Sequence, residues 1–429
     1  MASSDIALQS AKATARTANP DEEPIAPHSV LRGLPESAQD AAASSVDTSN
    51  MLPPRSAVRG LLNRSSSVLS FPSDAYVQQI VRTHLDPQSG TPYWVARDQR
   101  LGAKALEMIQ TFADFKRLVG FRDAQEQSQF EHDTRHRPLE TFIPSSVLAS
   151  GRWIWASQTG GTTGAPKHGN WDSLYWERIL AFTDEFLDRH GVPWGRNWLF
   201  LGPTGPHTTG RLVISIAEHR GGRCFSIDLD PRIIKIFGTE RMRDAYERYI
   251  RHIWDQVDPI IRHQDIGVMF CTSRLLEMLP EQSNVALFRN VQAIVHAGTT
   301  MERDTSRVLQ EEIFPGVPIV GIYGTSTTGI SYQKIPEPED EYRVVYIPAS
   351  PYIVFEIVDD NGRLVEYGEE GHVATYRLTE DSLIPGFWER DRAVRLKPYG
   401  ALADLYPWDW IGEVYSPEFT VEGKVEGVY

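Results

Sequence analysis

Apolar residues first fall into a regular pattern at Ser73. Tyr76, Val77, Ile80 and Val81 share one helical face, and Leu106, Ile109, Phe112 and Phe115 recur at helical spacing. Residues 73–119 are therefore expected to be helices packed on a larger body. Residues 1–72 instead carry Ala, Ser, Pro and acids, with apolar positions too sparse to offset the entropy cost of ordering. They read as a mobile tail, in which Arg55–Arg64 has the composition of a short basic docking segment or a solvated linker.

From Trp153 onward, short apolar runs alternate with helical stretches. Trp153-Ile-Trp-Ala156, Trp198-Leu-Phe-Leu201, Arg223-Cys-Phe-Ser-Ile227, Gly267-Val-Met-Phe270, Ala293-Ile-Val-His296 and Ile319-Val-Gly-Ile-Tyr323 read as buried strands. Asp172 or Ser173 can cap a helix carrying Trp176, Ile179, Leu180 and Leu187, and Leu212-Val-Ile214 begins another. Such alternation implies parallel pairing, with ligand loops at the carboxyl ends of the strands. Past Tyr342 the period shortens: Arg343-Val-Val-Tyr346, Ile353–Val358 and His372–Tyr376 read as strands, and Asp359-Asp-Asn-Gly362 as a hairpin turn. The expected fold class is α/β: a large core over 73–341 with parallel α/β sheets, then a smaller β-rich subdomain over 342–420 and a short end at 421–429.

Composition narrows the function classes. A chain of 429 residues and formal net charge −14 repels phosphate polymers, so general nucleic-acid binding is not expected. No run of about twenty apolar residues points to a membrane span. Two cysteines, Cys224 and Cys271, are too few and too far apart for a disulfide framework, which fits a reducing, cytoplasmic compartment. The amino terminus lacks the basic segment and apolar core of a secretory signal.

The densest chemistry lies in Ser157-Gln-Thr-Gly-Gly-Thr-Thr-Gly-Ala-Pro-Lys167. Gly160, Gly161 and Gly164 let main-chain N–H groups approach an anion; Thr159, Thr162 and Thr163 add hydroxyl donors, and Lys167 adds a point charge. The run is read as a phosphate loop between a strand and a helix. It is not the Walker type, because Pro166 precedes the lysine and His168 follows it. His132 and His136 would share a helical face, but neither the glutamate of His-Glu-x-x-His nor a nearby third ligand accompanies them.

The order of the loops resembles the adenylate-forming superfamily of acyl and aryl acid ligases, most of all its phenylacetate-CoA ligase branch, over roughly residues 73–429. Thr159–Lys167 is similar to the family's Thr-Ser-Gly-Thr-Thr-Gly-x-Pro-Lys loop, with Gly160 replacing serine. Ala297-Gly298 resembles its adenine-side loop, and Tyr323-Gly-Thr-Ser-Thr327 its Tyr-Gly-x-Thr/Ser-Glu motif. Gly368-Glu-Glu-Gly-His-Val373 and Leu378-Thr-Glu-Asp381 are similar to two further segments of that branch. Asp391 falls where the family has its ribose-binding aspartate, and His207 where many members place a histidine beside the acyl pocket.

The resemblance implies ATP and Mg²⁺ as cofactors and activation of a small, aromatic or otherwise planar carboxylic acid as an acyl adenylate. Thr159 to Gly164 would hold the β- and γ-phosphates; Ala297, Gly298, Tyr323, Gly324, Thr325 and Asp391 would hold the rest of the nucleotide. Lys167, Ser326 and His207 would act on the reacting groups. CoA, an amine or a carrier thiol stays open as acceptor, as does a homodimer. Two departures stand out. Thr327 occupies the position of the family's Mg²⁺-binding glutamate, and a hydroxyl is a poorer Mg²⁺ ligand than a carboxylate. Glu422–Tyr429 resembles the family's hinge, with Lys424 in place of its arginine, and the sequence ends there; the mobile C-terminal domain is expected to be cut off at the hinge, naturally absent or supplied by a separate chain. A catalytically impaired nucleotide-binding scaffold is the alternative reading.

Overall fold

The computed structural model describes residues 69–100, 105–159, 165–237, 242–325 and 329–417. Most of the expected tail, Gly160, Gly161, Thr162, Thr163, Gly164, Ser326, Thr327 and the hinge-like end 421–429 lie outside the described residues. Helices come first: α1 (Asp74–Leu85), α2 (Pro92–Arg100), α3 (Phe112–Val119) and α4 (Ala124–His136). Ser73, Thr111 and Asp123 cap three of them, and at Thr111 the cap is reciprocal, because Asp114 accepts from the Thr111 backbone N–H. Val77, Ile80, Phe112 and Phe115 enter one apolar cluster with residues of the late strands.

The next segment departs from the sequence expectation. β1 (Ile154–Gln158) does not join a buried parallel sheet; it pairs antiparallel with β2 (His168–Asp172) in a separate two-stranded sheet. The glycine loop therefore joins two strands of a hairpin, and α5 (Ser173–Arg189) begins only after β2, with Asp172 as its cap. The tryptophans at the start of this hairpin explain the difference. Trp153 is 45% exposed and Trp155 half-buried, so this run covers a surface and does not fill a sheet interior.

The following elements alternate as expected: β3 (Asn197–Gly202), α6 (Thr208–His219), β4 (Cys224–Asp228), α7 (Arg243–His263), β5 (Ile266–Cys271), α8 (Ser273–Gln282), β6 (Ala293–Ala297), α9 (Arg303–Val308) and β7 (Ile319–Thr325). β4, β3, β5, β6 and β7 lie side by side in parallel. Side chains alternate between two cores, as strand geometry demands. Trp198, Phe200, Val268 and Phe270 face α5 and α6, whereas Leu199, Leu201, Met269 and Ile294 face α7 and α8.

After β7 the chain reverses. β8 (Gly329–Gln333), β9 (Val345–Pro348), β10 (Ile353–Val358), β11 (Glu370–Leu378), β12 (Leu383–Leu396) and β13 (Trp410–Tyr415) continue the same sheet in antiparallel pairings. Among the described residues the sheet has eleven strands in the order β10-β11-β12-β13-β9-β8-β7-β6-β5-β3-β4. Asp359–Gly362 does form a turn, with the Gly362 N–H donating to Asp359 O at 2.9 Å, but within a longer connection between β10 and β11.

A buried ion pair locks the hairpin to this sheet. Arg377 at the end of β11 and Asp381 in the following turn are both fully buried and 2.9 Å apart. The Asp381 carboxylate also accepts from the Asp172 N–H at 3.0 Å and the Thr379 hydroxyl at 2.6 Å. Arg377 donates to Asn170 O at 3.0 Å and lies over the Trp171 ring. From α1, buried His84 bonds Thr379 O through Nε2 at 2.8 Å. Removing one member of a buried pair strands the other charge. Asp381→Ala should therefore cost about 3–5 kcal/mol in urea unfolding, whereas Thr379→Val, which removes a hydroxyl, should cost about 1 kcal/mol.

Burial pushes His84 and His296 down to about 4. An unfolded histidine titrates near 6.5, so between about pH 4 and 6.5 the unfolded chain binds more protons and stability rises with pH. The contribution is complete above about pH 6.5 and is lost as pH falls toward 4, roughly 3 kcal/mol per histidine over the whole window. Urea midpoints measured across this range should rise with pH, and His84→Gln should flatten the slope.

Candidate active site

β6 and β7 are adjacent parallel strands, and their carboxyl ends open one cleft. β6 ends at Ala297, which pairs with Ile322 of β7 and is half-buried; Gly298 then turns the chain at φ +83°, a left-handed conformation that suits glycine. Gly298, Tyr323, Gly324, Thr325 and Asp391, all expected to contact nucleotide, line a single cleft. Across it, Tyr323 Oη donates to Asp391 Oδ2 at 2.9 Å. The Tyr323 ring is held by Tyr346 and Phe355, with centroids at 5.5 and 5.6 Å. One wall is therefore a fixed aromatic face with a carboxylate beside its edge.

Gly324 is dictated by the strand reversal. A Cβ there would stand 1.9 Å from Gly329 O on the paired strand β8, so no side chain fits while the β7–β8 pairing holds. Under the floor, Gly321 opens space of another kind: a Cβ would meet Gln333 Oε1 and Tyr346 Oη at 3.0 Å and His296 Nε2 at 3.1 Å. His296 is fully buried, its Nδ1 bonded to Ser273 Oγ at 2.9 Å and its Nε2 without a partner. The polar atoms thus converge directly behind the strand that carries Tyr323.

The cleft also contains residues that the sequence did not single out. Thr299, Thr300 and Met301 follow Gly298, Tyr346 forms part of the floor, and Glu413, Val414, Tyr415 and Ser416 form the far rim. Glu413 has φ +52° and pairs with Arg303 at 2.5 Å and Arg343 at 3.9 Å, so the rim charge is balanced internally. The aromatic and β-branched content of Trp410-Ile-Gly-Glu-Val-Tyr415 was the available signal for this strand.

The other expected site residues lie on the β1–β2 hairpin and at the start of α6. Thr159 and Lys167 close the base of the glycine loop: Thr159 N–H donates to Lys167 O and Lys167 N–H to Thr159 Oγ1, both at 3.0 Å. Arg135 of α4 donates to Ala165 O at 3.0 Å. The Lys167 ammonium points away from a simple solvent position; it pairs with Glu131 at 3.1 Å and lies 4.7 Å from the Phe387 ring centroid. His207 immediately precedes α6, in a loop tied to β1 by the bond from Gln158 N–H to Pro206 O at 2.9 Å. It is 2% exposed, and neither ring nitrogen has a hydrogen-bond partner. Burial, aided by the charge of Arg232, lowers its proton affinity, so the ring is held neutral with a donor and an acceptor both unspent. His132 and His136 stack at 4.3 Å on α4. Among the described residues no group of three or more His, Cys, Asp or Glu is arranged to hold a metal.

No family model matches the chain. A curated relative, the L-proline–[L-prolyl-carrier protein] ligase of Streptomyces coelicolor, is 26% identical over 136 residues, which are 30% of this chain and 25% of the relative. The chain therefore spans about a quarter of that relative's length in the matched region. A solved structure of 2-hydroxyisobutyryl-CoA ligase with 2-HIB-AMP, in the postadenylation state, superposes with TM-score 0.61 at 12% identity, covering 87% of this chain and 74% of that one. The same ligase with 2-HIB-AMP and CoA gives TM-score 0.58 at 12% identity, covering 87% of this chain and 75% of that one. These likenesses show the fold: the chain shares the architecture of that ligase over the covered residues.

The Gly324 geometry can be tested without a ligand. Gly324→Ala should destabilise the protein by about 2 kcal/mol or more, because the added methyl must push β7 and β8 apart. Thr325→Ala, one residue on, should change stability by less than about 1 kcal/mol. Chemical denaturation of both variants measures the contrast.

Proposed function

We propose that the protein binds ATP and activates a small carboxylic acid as an acyl adenylate, with release of pyrophosphate. The observation that carries this reading is the cleft at the ends of β6 and β7, where Gly298, Tyr323, Gly324, Thr325 and Asp391 meet and Tyr323 bonds Asp391 at 2.9 Å. A planar base suits a slot with a bare glycine turn on one side and a packed tyrosine ring on the other. Asp391, steadied by the tyrosine hydroxyl, suits a ribose hydroxyl as donor. ATP, bound with Mg²⁺, would supply the α-phosphorus that the acid's carboxylate attacks as pyrophosphate leaves.

The chain's own contribution would be positioning and charge neutralisation. Lys167, with the backbone amides and hydroxyls of Thr159–Gly164, would neutralise the β- and γ-phosphates, and Ser326 would donate to the α-phosphate. Neutral His207 would border the acid and offer it a hydrogen bond without a competing charge. Thr327 would leave much of the Mg²⁺ coordination to phosphate oxygens and water. An aromatic acid and a phenylacetate-CoA ligase-like specificity are the finer form of the proposal. CoA, an amine or a carrier thiol would take the acyl group.

The Lys167–Glu131 pair gives the proposal a signed test. Lys167→Ala should weaken ATP binding in calorimetry by roughly tenfold or more, the size of a lost charge-assisted contact. Glu131→Gln removes the internal counter-anion and should tighten ATP binding severalfold. Unchanged affinity in both variants would overturn the phosphate-loop role. The chemistry itself is read by acid-dependent exchange of pyrophosphate into ATP. Binding of ATP with no exchange across a panel of aryl and short aliphatic acids would leave the scaffold reading in its place.

A further inference from the structure

Arg211 lies in the first turns of α6, four residues after His207. Its guanidinium is surrounded by three indoles: the carbon at its centre is 4.8 Å from the Trp153 ring centroid, 5.0 Å from Trp155 and 5.6 Å from Trp176. Trp155 and Trp176 meet edge to face, and Trp153 is 45% exposed, so the box is open on one side. Among the described residues no hydrogen bond or ion pair reaches the Arg211 guanidinium. Burial alone lowers its proton affinity, with no carboxylate to offset it.

The protein holds two internal controls. Arg377 stacks over Trp171 at 4.5 Å and spends its donors on Asp381 and Asn170 O. Arg220 stacks over Trp194 at 4.4 Å and spends its donors on Asp184, Asp188 and Val192 O. In both, the indole covers a face of the guanidinium while protein oxygens satisfy its edge. Arg211 has the covered faces and lacks the oxygens. In a chain with 57 acidic and 43 basic side chains, a half-buried arginine without a carboxylate is not explained by a shortage of acids.

We infer that Arg211, with Trp153, Trp155 and Trp176, forms a binding site for a planar organic carboxylate. The N–H edge of a guanidinium matches both oxygens of a carboxylate, and aromatic cover strips it of competing water. Indole walls favour an anion with a flat apolar body over a fully hydrated one such as inorganic phosphate. The site stands without the nucleotide reading, because none of its residues belongs to the β6–β7 cleft.

Benzoate is the probe, titrated against tryptophan fluorescence with no nucleotide present. The full chain should give a saturable signal, and Trp153→Phe should diminish its amplitude. Arg211→Gln should weaken binding about tenfold or more, as expected for a lost bidentate charged contact. Arg211→Lys, which keeps the charge without the fork, should fall between them and guards against a folding defect in the glutamine variant. The inference is overturned if the full chain shows no saturation, if Arg211→Gln binds benzoate as tightly, or if inorganic phosphate binds as well as benzoate. Because ATP is absent, these outcomes are independent of the adenylation test.

Discussion

Arg377 and Asp381 form the contact on which the rest of the molecule depends. Both are buried, and neither charge could stay there alone. Through the Asp172 N–H, Asn170 O and Thr379 O the pair joins three parts of the chain that are far apart in sequence: the β1–β2 hairpin, the β11–β12 turn and α1. Asp172 also caps α5 and receives Arg152 at 2.8 Å. Burial and the nearby Asp381 push its carboxyl upward, opposed by the cap bond and Arg152. The base of the glycine loop, at Thr159 and Lys167, is thereby anchored to the core.

The same sheet explains how Asp391 reaches Tyr323. In the strand order, β12 is separated from β7 by β13, β9 and β8, yet the two side chains are 2.9 Å apart. A flat sheet of strands spaced about 4.8 Å apart would hold them well beyond contact. The antiparallel half must therefore curl back over the ends of the parallel strands. The pairing of β12 with β13 shifts register between Arg392 and Val394, immediately after Asp391, and such irregularities bend and twist a strand. The cleft is closed by that curvature, which also brings the rim residues Glu413–Ser416 into place.

Much of this was legible in the sequence because local pattern and final environment agree. Continuous apolar runs such as Trp198–Leu201 are buried on both faces and became interior strands, and Gly298, Tyr323-Gly-Thr and Asp391 line one cleft. β1 was misread because Trp153 and Trp155 look like core residues, although large aromatic side chains can also cover a surface or hold a cation. The second strand of the hairpin, His168–Asp172, is missing from a hydropathy reading because polar residues interrupt it; its burial rests on the single core residue Trp171 together with the bonds to the ion pair. The rim strand Trp410–Tyr415 joins the cleft only through long-range curvature, which no local period encodes.

The chain's negative charge sets a further constraint on anion binding. With a net charge of −14, the average field opposes a carboxylate or a polyphosphate, so any such ligand must find cations that are local and partly desolvated. Most of the candidates are already neutralised: Lys167 by Glu131, Arg303 and Arg343 by Glu413, and Arg377 by Asp381. A ligand must compete with those carboxylates, and the competition is mildest where they are half exposed and weakly held. Arg303 with Glu413, each 39% exposed, comes nearest to that condition and Lys167 with Glu131, at 19% and 23%, follows, whereas the fully buried Arg377 does not meet it. Arg211 faces indoles in place of an acid, so an incoming anion there displaces water and no internal partner. The cations that remain useful to a ligand are thus distinguished from the structural ones by what already occupies them.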